Sequence, residues 1–151
     1  LESSIIMLDE LADQTTKQLL ENVVKRKRKF DKLKWRHFLV IWTSVFYTLA
    51  LFYYLYKFIM VKYSYSFADM FSVFIQKQSD LYLLLISAAL FGAAKILYEK
   101  KEKAEKEYHA LRCEIIDRSK DLWKEERWKS RHKVFEMMKK EYDINLYHES
   151  K

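Results

Sequence analysis

The chain of 151 residues contains no proline and one glycine, Gly92. An average soluble domain of this length carries roughly 7 prolines and 10 glycines. Without them, tight turns and positive-φ loops are nearly out of reach, and sheets depend on such turns. An all-α fold with few breaks is therefore expected. The single cysteine, Cys113, excludes an internal disulfide and fits a reducing compartment. There is no glycine-rich phosphate loop, no HExxH, no nucleophile elbow and no paired CxxC. Neither an enzyme, nor a cofactor, nor a small-molecule substrate is expected.

Half of the residues are hydrophobic and 32% are charged, but the two classes are segregated into blocks. Such segregation is a membrane pattern rather than a globular one. The stretch 38–56 holds no charge. At 1.5 Å per residue it covers roughly 29 Å, about one hydrocarbon core. Trp35 and Trp42 mark one end, and Tyr53, Tyr54, Tyr56, Tyr63 and Tyr65 the other, as an interfacial aromatic belt would. Lys57 sits where its ammonium can reach headgroups. The second block, 81–98, is interrupted only by Lys95, near its end. A soluble core helix would keep a polar face. Residues 38–56 offer only Thr43, Ser44 and Thr48.

Five segments follow. They are a cytoplasmic amphipathic helix with a basic juxtamembrane run (1–37), a first transmembrane helix (38–61), an outer loop with a short interfacial helix (62–80), a second transmembrane helix (81–98) and a cytoplasmic charged helical tail (99–151). Lys25, Arg26, Lys27, Arg28, Lys29, Lys32, Lys34 and Arg36 precede the first span, opposed only by Asp31. This +7 equals the net charge of the whole chain. Lys95, Lys100, Lys101, Lys103 and Lys106 follow along the second helix, whereas the loop holds only Lys62 and Lys77. The positive-inside rule then predicts a multi-pass plasma-membrane protein, with a two-span hairpin and both tails in the cytoplasm. The basic run would also touch anionic lipid headgroups.

Along residues 3–24, Ile5, Leu8, Ala12, Thr15, Leu19 and Val23 form one apolar stripe on a single expected helix. Asp9, Glu10, Asp13 and Glu21 occupy its other faces. In the loop, Ser66 and Asp69 resemble a capping box ahead of Phe67, Met70, Phe71 and Phe74. The tail keeps heptad-like steps from Ala104 to Leu122 and then slips phase. A short bundle, bent between Ser119 and Ser130, fits this better than a sustained coiled coil. The stripe Ile5, Leu8, Leu19 and Val23 is expected to pack, at least in part, on Leu111, Ile115, Leu122, Trp123 and Phe135. The same residues are the candidates for binding a protein partner or a second copy.

Ala88 and Gly92, with Ala89 and Ala93 one residue on, are small-xxx-small steps that allow close helix approach in lipid. They are expected to pack against the first span, with Ser44 and Thr48 bonding across. Contact with a second copy is the competing use. Glu105, His109, Cys113 and Asp117 share a helical face, but no second Cys/His pair completes a tetrahedral site, so no metal is expected. Trp123 and Trp128 among Lys124, Arg127, Lys129, Arg131 and Lys133 resemble a base-stacking patch. Glu125 and Glu126 interrupt it and weigh against nucleic acid.

The opening LESSIIMLDELADQTTKQLLENVVKRKRKFDKLKWRH, followed by two spans and a charged helical tail, resembles the small YpbF-like membrane proteins of Bacillus and relatives. The resemblance covers most of the chain. It implies a bacterial inner membrane and supplies no activity and no functional residues. The expected function is a membrane-anchored interaction module, an adaptor or scaffold. The alternative is a small accessory subunit of a transporter or channel.

Overall fold

The computed structural model describes residues 2–8 and 11–148, without the side chains of 125 and 126. Asp9, Glu10, Glu125 and Glu126, given roles above, lie outside the described residues or side chains. Every regular element among the described residues is helical. The order is α1 (Ser3–Ile6), α2 (Gln14–Leu55), a π-helical turn (Tyr56–Met60), α3 (Phe67–Gln76), α4 (Gln78–Asp117), α5 (Ser119–Leu122), a 3₁₀ turn (Glu125–Ser130) and α6 (Arg131–Tyr142).

Two compact units divide the chain: a terminal unit, Leu1–Leu33 with Lys101–Lys151, and a central unit, Lys34–Lys100. In the terminal unit the core joins Ile5, Leu8, Leu20, Val23, Ile115, Trp123, Phe135 and Met138. Tail residues Ile144 and Leu146 complete it.

The single helix expected over 3–24 is broken. The α-helix stops after Ile6, and the Leu11 and Ala12 amides both bond to the Leu8 carbonyl. A tertiary contact is made at this break. The Trp123 indole Nε1–H donates to the Leu11 carbonyl at 3.1 Å, where a continuous helix would place the amide of residue 15. The bend expected between Ser119 and Ser130 lies at α5 and the 3₁₀ turn, beginning at Arg118. α6 ends at Asp143, which adopts a left-handed φ of 56° and bonds back to the Lys139 carbonyl. That turn sends Ile144 and Leu146 into the core.

In the central unit, α2 and α4 touch at His37–Tyr98, Tyr47–Leu83 and Tyr54–Asp80, pairs that run in opposite sequence directions. α3 begins as its sequence predicts, with the Asp69 amide donating to Ser66 Oγ at 3.3 Å. It lies against the π turn. Two helical stretches, Gln14–Met60 and Gln78–Asp117, are long and apolar enough to cross a membrane. Only 11% and 0% of their apolar windows are buried.

Candidate functional site

The terminal unit holds all nine residues singled out for protein interaction. Ile5, Leu8, Val23, Ile115, Trp123 and Phe135 are buried in one core, and Leu19, Leu111 and Leu122 pack on it half-buried. The N-terminal stripe and the tail thus cover each other. Trp123 meets Phe135 edge-on at 5.3 Å, and Phe135 meets Tyr147 at 5.5 Å. These nine side chains therefore leave little apolar surface free. Between Lys120, Trp123, Lys124 and Trp128 runs an open groove of about 420 Å³. The Arg131 guanidinium stacks 3.4 Å over Trp128, a cation–π arrangement that fixes the indole.

Polar ties close the unit around this core. Arg112, only 3% exposed, donates from Nη1 to the carbonyls of Asn145 and His148 at 2.9 and 3.0 Å. Its Nη2 lies 3.0 Å from His109 Nδ1. A guanidinium has only donors, so Nδ1 accepts. That contact engages one of the ring nitrogens a metal would need. Among the described residues no three His, Cys, Asp or Glu side chains converge. Beside Arg112, Lys27, Phe30, Tyr108 and Asp143 help to line a cleft of about 270 Å³. Burial raises the Tyr108 phenol above its ordinary range, with the Arg112 charge opposing.

The basic run is not uniform. Arg26 and Lys29 reach Glu107, Lys27 reaches Asp31 and Asp143, Lys25 reaches Glu21, and Arg28 pairs with Glu2. Lys32, Lys34 and Arg36 are exposed, with no ion pair among the described residues. Sequence reasoning treated all eight alike, because the acids that neutralise the first five lie mostly far along the chain.

The Arg28 hydrogen bond holds the Glu2 carboxyl below its ordinary range, with burial opposing and the Arg28 charge adding. A depressed folded value makes the contribution complete above the ordinary 4.5, and it is lost as pH falls through the folded value. Glu2→Gln is therefore expected to lower the denaturation midpoint slightly at neutral pH and to match the wild type in acid. A gap that persists in acid would show that the ion pair is not its cause.

The central unit corrects the packing expectation. Ser44 Oγ and Thr48 Oγ1 donate to the carbonyls of Val40 and Ser44, four residues back on their own helix, both at 2.8 Å. The bonds between helices come instead from Tyr47 OH to the Leu83 carbonyl at 2.8 Å and from Tyr54 OH to Asp80 Oδ1 at 3.0 Å. A hydroxyl one bond from Cβ reaches its own i−4 carbonyl, whereas a phenol reaches across. Ala88, Ala89, Gly92 and Ala93 are exposed, and a Cβ added at Gly92 would meet nothing within 4 Å. Ser87, one residue away, is the buried position.

Asp80, expected at the end of the outer loop, is fully buried. Lys77 Nζ donates to Tyr54 OH at 2.6 Å, and Tyr54 in turn donates to Asp80. The Tyr54 hydroxyl raises the Lys77 ammonium above its ordinary range, with burial opposing and the Asp80 charge a smaller contributor in the same direction. No periodicity marks this triad, because Tyr54 lies 23 and 26 residues before its two partners.

With this geometry in place, comparison with known proteins gives an identity at family level. The chain is 39% identical over 157 aligned positions to the uncharacterized protein YpbF of Bacillus subtilis (strain 168), covering all of both chains. No solved structure matches it. A family model described as a protein of unknown function, DUF2663, matches residues 19–149. The resemblance read from the opening segment is thus shown, and the chain belongs to the DUF2663 family.

Proposed function

We propose that this is a non-enzymatic plasma-membrane protein whose two spans form a hairpin and hold a folded helical unit at the cytoplasmic face. There it binds another protein or a second copy. The exposure of the apolar windows carries the membrane reading. A soluble helix of this hydropathy would be covered, yet Phe46 is 63% and Leu85 63% exposed, and no polar face offsets them. α3 fits an interfacial position, since Phe67 and Phe71 stay exposed. The exposed cations Lys32, Lys34 and Arg36 support cytoplasmic tails by the positive-inside rule.

The interaction reading is supported by the groove at Lys124 and Trp128, since the apolar stripe is consumed by the internal core. A second reading, an accessory subunit of a transporter or channel, is favoured by the open face at Ala88 and Gly92.

Orientation is tested in intact cells with a membrane-impermeant thiol reagent. Tyr65→Cys in a Cys113→Ser background should label directly, and Cys113 in the native chain only after permeabilisation. Function is tested with a photo-cross-linker at Lys124 or at Gly92. A reproducible foreign protein caught at Lys124 supports the adaptor. A foreign membrane protein caught only at Gly92 favours the subunit. Links only between copies at Lys124 sink the foreign-protein adaptor and leave the second copy as the occupant of this surface.

A further inference from the structure

We propose that the central unit carries a binding groove for one anionic phospholipid, with the acyl chain along Ile41, Val45 and Phe91 and the phosphate at Lys95. The inference rests on the membrane reading above. The groove between α2 and α4 measures about 300 Å³ and is walled by Ile41, Val45 and Phe91, with His37, Lys95 and Tyr98 at one end. From His37 to Val45 it follows about 12 Å of helix, most of the roughly 15 Å of hydrocarbon in one leaflet. Ser44, the polar residue deeper in the wall, is satisfied by the Val40 carbonyl and presents no unmet donor to a hydrocarbon tail.

The polar end selects charge. Lys95 lies inside an otherwise apolar stretch, is exposed, and forms no ion pair among the described residues. The His37–Tyr98 ring contact at 5.6 Å brings both helices together there. Lys95 is the charged residue lining this end, and nearby in sequence Lys34, Arg36 and Lys100 outnumber one acid, Glu99. A zwitterionic headgroup leaves that surplus unmatched, and a net-negative one matches it. An ammonium on a four-carbon stem, about one turn inside Tyr98, reaches phosphate level by extending along the groove. Lys95 is thus a recognition element rather than a tolerated defect in the span.

The full chain is placed in nanodiscs of equal phosphatidylcholine and phosphatidylglycerol, released into mild detergent and examined by native mass spectrometry. Phosphatidylglycerol should be retained preferentially. Lys95→Gln should reduce that preference about fivefold, the factor expected for one basic residue at an anionic surface. Ile41→Trp, which fills the wall, should reduce retention of both lipids. Equal retention of the two lipids by the wild type, or an unchanged preference in Lys95→Gln, overturns the inference. If the protein still resists alkaline carbonate extraction from membranes, the membrane reading survives that result. Release of the wild type by carbonate overturns the membrane reading and the groove together.

Discussion

Trp123→Ala is expected to cost the terminal unit about 3–5 kcal/mol, the range for deleting a fully buried aromatic. Stability of a small domain totals about 5–15 kcal/mol, so most of it is at stake. Trp123 is fully buried at the centre of the core, edge-on to Phe135, and its indole N–H takes the Leu11 carbonyl. Its loss removes the ring that joins the N-terminal turns to the tail and leaves that carbonyl without its donor. Limited proteolysis should then cut within residues 2–13 and 118–148 well before the wild type is touched. Trp123→Phe keeps most of the packing and loses only the hydrogen bond, for about 1 kcal/mol plus some unfilled volume. If Trp123→Ala is as resistant to protease as the wild type, Trp123 does not hold this core together.

Arg112→Ala should cost about 3 kcal/mol, since hydrogen bonds to a charged donor contribute roughly 1.5–3 kcal/mol each and some lost contacts are regained with water. The expected damage is local. Asn145 and His148 lose their shared donor, and the segment carrying Ile144 and Leu146 loosens from the core. Hydrogen exchange should show lost protection at 144–148, with amides 18–24 of α2 largely unchanged. Arg112→Lys should not rescue it, because one ammonium cannot reproduce a planar fork that serves two carbonyls and His109. Uniform loss of protection across the unit would instead make Arg112 a global determinant. Unchanged exchange would remove it from the structural account.

The Ser66 cap was readable because a capping box lies within four residues. The expectation that Ile5 and Val23 meet Ile115 and Phe135 rested on two apolar stripes in a chain with little else to cover them. The core contains all four. Ile144 and Leu146 were missed because they follow the last helix and carry no periodicity. Asp80 was missed for another reason. Its burial depends on Tyr54, 26 residues away.

The sequence by itself determined that the protein is helical, since a chain with no proline and one glycine has few other choices. It also determined where two stretches apolar enough to cross a membrane lie, and where the positive charge gathers. These are sums over neighbouring residues and need no knowledge of contacts. Only the tertiary structure decided that the first helix stops after Ile6 and that, among the described residues, five of the eight clustered cations are neutralised. It alone turned Ala88 and Gly92 outward and joined Lys77, Tyr54 and Asp80. Each of these depends on which distant donor, acid or ring competes for a group. Local periodicity shows which face of a helix is apolar, but not what will cover it.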